Sequence, residues 1–381
     1  MIENCKLFSN TTQIKWWLDK VKLTDKEEDI INNDIDWIHN FNDSNLIIKN
    51  SYDEKSYNLQ KKKLFTKLLN SNIDDEKWDL LLQKRATSHI ENLFKKYVDD
   101  ETLVITSSFE HFSVENVRNK CKNVIKLDDE TDNSNIIYNV DYCIDIAKKY
   151  KNVFVYLIAT ECITGRRRDN IVYKELNTKL KDNNINFVMV LDAVQEMFLY
   201  PRDYSFYHFI IGTVHSTYDK FDQGLLFVNK ELVKDYDDSY SYRNTNVLCL
   251  LNRGLDVILK RHKYILMYNK IMDESLNKKL FYNFSKYTSQ PNFYSIYTSG
   301  SFLYYDNIAE YIKNAQEKGK NIHSGASIDV SYHKKYRELV IGFRAQSLMF
   351  DDEEIYNRYN SFYNSYKELC KRIMKYDAKG M

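Results

Sequence analysis

The chain has 381 residues, a formal net charge of +1, 43% hydrophobic residues and 14% aromatic residues. This length and composition are enough for one large domain with a buried core and a second, smaller domain. The balanced charge gives no support for binding to nucleic acid or to an anionic membrane, and we expect neither as a partner.

The six cysteines are scattered and form no C-x-x-C pair, which argues against a zinc site or a thioredoxin-like motif. The first residues, "MIENCKLFSNTTQ", lack the apolar core of a signal peptide, and no run reaches the ~18 apolar residues of a membrane span. We therefore expect a cytoplasmic protein in a reduced compartment.

Residues 1–53 are polar and predict an N-terminal helical segment without a chemical signature. From residue 54, helical stretches such as "TSHIENLFKKYV" and "IVYKELNTKLKDNN" alternate with strand-like runs. The runs are "TLVITSS", "NVIKLDD", "NVFVYLIAT", "NFVMVLDAV", "HFIIGTV" and "GLLFVN". Apolar strands that alternate with amphipathic helices indicate an α/β domain with a largely parallel sheet covered on both faces, which we place at residues 54–245.

Residues 246–381 predict a connecting helix and a small α+β C-terminal domain. The pattern contains a long helical stretch from about residue 247 and strands in "NIHSGASIDVS" and "ELVIGFRAQSL". A terminal helix is predicted from Asp352, because Asp351 and Glu354 resemble a capping box.

Polar segments follow five of the apolar runs, at the strand ends where parallel α/β sheets bind ligands. These segments are "QKRATSH", "SSFEHFSVE", "ATECITG", "LDAVQ" and "TVHS". In their order and spacing they resemble the class V branch of fold-type I pyridoxal-phosphate (PLP) enzymes, which includes cysteine desulfurases. The resemblance covers residues 54–365 and implies a mostly parallel seven-stranded sheet sandwiched by helices.

The resemblance implies roles around the cofactor ring and the substrate. Asp192 would pair with the protonated pyridine nitrogen, which makes PLP an electron sink, and Gln195 would reach its phenolic oxygen. His111 would stack on the pyridine face. Arg344 would bind the α-carboxylate of an amino-acid-like substrate through a bidentate guanidinium.

The resemblance also implies a phosphate site shared between two subunits. Thr87 would contact the phosphate at a helix N-terminus, with Thr213 and His215 nearby. Thr245, in "YRNTNV", would reach the phosphate of the partner subunit. The implied assembly is therefore a homodimer.

The segment "TVHSTYDKFDQGLLFV" matches the family pattern from His215 to Gly224 without a gap. Ser216 then occupies the position of the lysine that binds PLP covalently and moves the substrate proton. A serine hydroxyl cannot form an imine and is a poor base, whereas Lys220 lies four residues beyond the expected position. The candidate catalytic residues are thus Ser216, His111 and His215, with noncovalent PLP or pyridoxamine phosphate (PMP) as cofactor.

Three further departures separate the chain from the family pattern. Lys84 and Arg85 stand where the phosphate loop usually contains glycine, and Ala159 and Thr160 replace an asparagine near the cofactor. The resemblance places the persulfide cysteine of a desulfurase near Ser327 or Ile328, and neither residue is a thiol. We therefore do not expect cysteine desulfurase activity.

Three functions remain open from the sequence. The first is an enzyme that uses PMP or noncovalent PLP, and the second is a catalytically dead PLP-fold homodimer that acts as a binding or scaffold subunit. The third is a cofactor-free enzyme whose pocket binds another anionic ligand, with help from Arg166, Arg167 and Arg168. For this arginine run alone we favour a solvated loop.

Overall fold

The structure is a computed structural model that describes most of residues 52–256 and four later strands. The described ranges are 52–68, 73–108, 112–130, 136–160, 167–194, 196–198, 201–213, 223–234, 236 and 240–256, with the backbone of 282–283, 302–306, 328–333 and 338–343. The chain divides into two units, and all described residues up to Leu255 belong to one of them. The predicted N-terminal helical segment and the predicted helix at Asp352 lie outside the described residues.

The first unit contains a seven-stranded sheet with the strand order β1-β9-β8-β7-β6-β2-β3. The strands are β1 (Trp78–Gln83), β2 (Leu103–Thr106), β3 (Asn123–Lys126), β6 (Val153–Ile158), β7 (Phe187–Asp192), β8 (Phe209–Thr213) and β9 (Gly224–Asn229). Strands β3, β2, β6, β7 and β8 pair in parallel, whereas β9 is antiparallel to both β8 and β1. Because β1 and β8 are both antiparallel to β9, all strands of this sheet except β9 run in the same direction.

Helices cover both faces of this sheet. They are α1 (Glu54–Phe65), α2 (Ala86–Tyr97), α3 (Phe112–Arg118), α4 (Val140–Ala147) and α5 (Asn170–Asp182), and residues 245–256 are also helical. The apolar side of α2, including Leu93 and Phe94, packs on one face against Phe154 and Val190. On the other face, Asn177 of α5 donates hydrogen bonds to the Met189 sulfur and to the Phe206 carbonyl.

The predicted mostly parallel sheet sandwiched by helices is confirmed. Each run that predicted a strand between residues 102 and 229 contains one. The sequence analysis missed a short antiparallel pair, β4 (Asp128–Glu130) with β5 (Ile136–Tyr138). These strands have three residues each, too few to show an alternating pattern.

The second unit contains a four-stranded sheet of order β10-β11-β13-β12. Its strands are β10 (Tyr282–Asn283), β11 (Phe302–Asp306), β12 (Ile328–His333) and β13 (Glu338–Phe343), and every pairing is antiparallel. Strands β12 and β13 overlap the two runs that predicted strands in this region, "NIHSGASIDVS" and "ELVIGFRAQSL". Among the described helices of the chain, none is long and apolar enough to cross a membrane.

Candidate functional site

The carboxyl ends of the parallel strands meet at one edge of the seven-stranded sheet. Strand β7 ends at Asp192 and β8 ends at Thr213, while antiparallel β9 begins at Gly224 beside Thr213. Strand β1 ends at Gln83, which also pairs with Gly224, and α2 starts three residues later. The fold therefore brings together the ends of these strands and the start of α2, as expected for a ligand site in an α/β sheet.

Asp192 and Thr213 lie on the same face of the sheet. Side chains alternate along a strand, so Asp192 shares its face with Val190, and Thr213 shares its face with Ile211. Val190 and Ile211 both belong to the apolar cluster that includes Ala86, the first residue of α2. The structure thus brings Asp192, Thr213 and the start of α2, which includes Thr87, to one face at one edge.

Asp192 is a buried carboxylate with two neutral hydrogen-bond donors. Its Oδ2 accepts a hydrogen bond of 2.7 Å from the Tyr156 hydroxyl, and its Oδ1 accepts one of 3.1 Å from the Val194 amide. Burial raises the pKa of the Asp192 carboxyl above its usual range, and these two bonds offset only part of the rise. No described residue supplies a cation to it, so among the described residues the charge of this carboxylate is uncompensated.

The N-terminus of α2 has the features of an anion site. The N-cap residue Arg85 makes no side-chain capping bond, and the first turn contains no acidic residue. Thr87, in that first turn, is half-buried. Backbone amides and the helix dipole at such an end attract a phosphate group. Lys84 and Arg85 are both exposed, so they do not fill a buried pocket.

Gly224 allows β9 to approach this helix end closely. A Cβ atom at this position would lie 2.4 Å from the Arg85 carbonyl carbon and 2.5 Å from the Ala86 nitrogen. Such contacts are far shorter than any packed side chain tolerates. The glycine is therefore needed for the close packing of the β9 start on the α2 N-terminus.

Thr245 begins the helical segment 245–256, after the N-cap residue Asn244. The Asn244 Oδ1 accepts hydrogen bonds from the amides of Asn246 and Val247 at 2.9 and 3.1 Å. Within the described chain, the buried Thr245 hydroxyl oxygen has no hydrogen-bond partner. An orphaned buried hydroxyl is consistent with a ligand or a second subunit as its partner, and that role stays a prediction.

The remaining predicted site residues lie outside the described residues. They are His111, Gln195, His215, Ser216 and Arg344. Their roles, including the occupation of the lysine position by Ser216, stay predictions from the sequence.

A buried ion-pair group beside the candidate site was missed by the sequence analysis. Glu196 is fully buried, and its carboxylate accepts hydrogen bonds from Thr160 at 2.8 Å, from Arg167 at 3.0 Å and from Arg202. Burial alone would raise the pKa of Glu196, but the guanidinium groups of Arg202 and Arg167 lower it to about 2. This group joins the segments after β6 and β7.

The favoured interpretation of the arginine run as a solvated loop is wrong for two of its residues. Arg168 is 2% exposed and forms an ion pair with buried Asp128, and Arg167 pairs with Glu196. Arg166 lies outside the described residues. The sequence shows only a run of like charges, and the carboxylates that pair with them are 29 and 40 positions away along the chain.

Comparisons with known proteins identify the fold. No family model and no curated protein matches the sequence. A NifS-like protein from Rickettsia africae superposes with a TM-score of 0.61 at 13% identity, covering 90% of this chain and 95% of that chain. A PLP-bound C-S lyase from Staphylococcus hominis gives 0.60 at 10% identity, with 91% and 89% covered.

A third structure, an apo cysteine desulfurase from Thermococcus onnurineus, gives a TM-score of 0.55 at 13% identity, with 96% of this chain and 94% of that chain covered. These structures span nearly the whole chain, so the likeness includes both units. At such low identities the likeness shows a shared fold. Within the described parts of the chain, no group of three or more His, Cys, Asp or Glu side chains is arranged to hold a metal ion.

Proposed function

We propose that this chain, which has the fold of class V, fold-type I PLP-dependent enzymes, acts on an amino-acid-like substrate with noncovalent PMP or PLP. One observation supports this proposal most strongly. Asp192 is a buried carboxylate at the ligand-binding edge of the sheet, and no described residue neutralises it. A protonated pyridine nitrogen would supply the missing positive charge, because such a charge-assisted hydrogen bond compensates for desolvation.

The described residues fit the other parts of the cofactor as well. The uncapped start of α2, with Thr87, would hold the phosphate, and Thr213 lies on the same face of the sheet. When bound, the cofactor supplies a ring that withdraws electrons from the substrate carbon. Asp192 would keep a proton on the ring nitrogen, which this function requires.

The residues outside the described ranges complete the proposal through the family resemblance. His111 would stack on the ring, Gln195 would contact its oxygen, and Arg344 would bind the substrate carboxylate. With Ser216 in place of the lysine, the cofactor would be held by these contacts alone. Thr245 would contribute to the site of a partner subunit in a cytoplasmic homodimer.

The cofactor-free alternative has lost part of its support. That hypothesis used the arginines after β6 to bind an anionic ligand. Arg167 and Arg168 instead neutralise Glu196 and Asp128 within the protein. The scaffold alternative predicts that the purified protein binds no cofactor, so a binding experiment distinguishes it from the proposed enzyme.

The test is to titrate PLP and PMP into the purified protein and to follow the near-ultraviolet and visible absorbance. We expect both to bind, dialysis to remove them, and borohydride to leave no cofactor attached to the chain. Mass spectrometry that found a reduced adduct on Lys220 would restore covalent attachment. If neither compound bound at millimolar concentration, the protein would belong to the scaffold or cofactor-free class.

A further inference from the structure

Tyr156 is a buried phenol in an otherwise apolar strand. It lies on β6, two residues before the position that pairs with Asp192, and its side chain is 0% exposed. Its ring packs against Phe94 of α2, with the centroids 5.5 Å apart. Its hydroxyl donates a 2.7 Å hydrogen bond to Asp192 Oδ2. The tyrosine therefore connects the apolar core under α2 to the candidate site.

The packing around Tyr156 does not require a hydroxyl. Phenylalanine would fill the same space, as Phe154 does two positions earlier in the same strand and the same cluster. A buried phenol needs a hydrogen-bond partner, and here that partner is Asp192, to which no described residue supplies a cation. The hydroxyl is thus explained by Asp192 rather than by the core.

We propose that Tyr156 is a positioning residue that keeps Asp192 ionised and fixed in orientation while the cofactor is absent. This inference rests on the proposed function, because a cofactor without a covalent bond must leave and return to a site that is already formed. A phenol that donates to a carboxylate favours its ionised form, and the ionised form is the one that binds a protonated ring nitrogen.

Other charged groups near this pair do not account for the state of Asp192. The charged or titratable side chains of α2 are His89, Glu91, Lys95, Lys96 and Tyr97, and those of the flanking loops include Glu196, Arg167, Arg168 and Arg202. The pKa of Asp192 is set by burial and by its bonds from Tyr156 and Val194, with no contribution from any of these groups. The effect of Tyr156 can therefore be measured separately.

The experiment compares PMP with its deaza analogue, in which a CH group replaces the ring nitrogen, over a range of pH. The two ligands share the phosphate and the amine, so the ratio of their dissociation constants reports the ring-nitrogen contact alone. In the wild type we expect the preference for PMP to disappear as Asp192 becomes protonated at low pH. Tyr156→Phe should move that midpoint upward by about one to two pH units, because it removes a hydrogen bond to a charged group.

Two controls make the result specific. Tyr97→Phe makes the same change at a tyrosine that packs against Phe154 and Phe209, and it should leave the midpoint unchanged. If Tyr156→Phe did not fold, 3-fluorotyrosine at position 156, a stronger donor, should move the midpoint downward.

The outcomes separate the inference from the proposed function. A wild type that shows the preference, with a midpoint unaffected by either change at Tyr156, would overturn the inference alone. A wild type that binds no PMP, or that shows no preference at any pH, would overturn the proposed function and this inference together.

Discussion

Asp192 and Glu196 are two buried carboxylates in neighbouring positions whose surroundings differ in one respect. Asp192 is 9% exposed and is the last residue of β7, and Glu196 is 0% exposed and lies four residues further along the chain. Glu196 forms ion pairs with Arg202 and Arg167, whose guanidinium groups lower its pKa to about 2. Asp192 accepts hydrogen bonds from the Tyr156 hydroxyl and the Val194 amide, and burial raises its pKa.

This difference in ion pairing indicates that one carboxylate stabilises the fold and that the other is available to bind a ligand. A buried charge is costly unless it is paired, and the chain itself pairs Glu196. No described residue supplies a cation to Asp192, which lies at the edge where α/β sheets bind ligands. We infer that Glu196 stabilises the loops, and the proposed cofactor would supply the positive charge for Asp192.

The largest expected effect is on stability. Glu196→Gln should lower the free energy of unfolding by about 3–5 kcal/mol, because it leaves the buried Arg202 and the partly buried Arg167 without a compensating charge. Asp192→Asn is the matched control and should change it by less than about 1 kcal/mol, or raise it, because a desolvated charge is removed. Urea denaturation of the cofactor-free protein measures both. Equal losses in the two variants would contradict the assignment.

The pH dependence of stability should separate the same two residues. The ordinary pKa of Glu196 is 4.5 and its folded value is about 2, so its contribution is present above pH 4.5 and is lost as the pH falls toward 2. The loss of unfolding free energy caused by Glu196→Gln should therefore become smaller as the pH falls from 4.5 toward 2.

The folded pKa of Asp192 lies above its ordinary value of 3.8. Any increase in unfolding free energy caused by Asp192→Asn should therefore be present at neutral pH and vanish below pH 3.8. Denaturation at several pH values tests both signs.

A smaller effect is expected at the start of β9. Gly224→Ala should destabilise the protein by about 1–3 kcal/mol, because its Cβ meets the backbone of Arg85 and Ala86, which has to move. Gly212→Ala is the control: its Cβ would lie 2.5 Å from the Met197 sulfur, at the end of a flexible side chain. If the control cost as much as Gly224→Ala, close packing on the α2 N-terminus would not be the reason for the glycine.

The smallest effect is expected at the phosphate site. Thr87→Val should weaken PMP binding by about threefold to tenfold, which corresponds to one lost hydrogen bond, and should leave pyridoxamine without the phosphate unaffected. Thr178→Val, at an exposed hydroxyl on α5 that donates to the Lys174 carbonyl, is the control. Calorimetric titration of both ligands gives the comparison. An equal loss for the two ligands would place Thr87 away from the phosphate.

The pattern of apolar residues in the sequence predicts the strands and the type of sheet. It does not predict the order of the strands in the sheet. The runs around Phe154, Val190 and Ile211 are apolar along their whole length because both faces of their strands are buried, which predicts a covered parallel sheet. Periodicity contains no information about pairing order, so it could not show that β9 lies between β8 and β1 with the opposite direction.

The sequence predicts the positions of candidate site residues that come at the end of an apolar run. It does not predict contacts between residues that are far apart along the chain. Asp192 and Thr213 were expected at the ligand edge because each follows an apolar run. Glu196 and Arg202 carried no such signal, because their pairing depends on how two loops fold together. In the sequence, Tyr156 is distinguished only by its hydroxyl group within an apolar run. Its hydrogen-bond partner, Asp192, is known only from the structure.

The most direct test of the central claim is a calorimetric titration of PMP into the wild type and into Asp192→Asn at neutral pH. We predict that the wild type binds and that the variant, folded and of similar stability, binds about tenfold to hundredfold more weakly, because it lacks one charge-assisted hydrogen bond. Equal affinity in the two proteins would contradict the claim that Asp192 receives a protonated ring nitrogen.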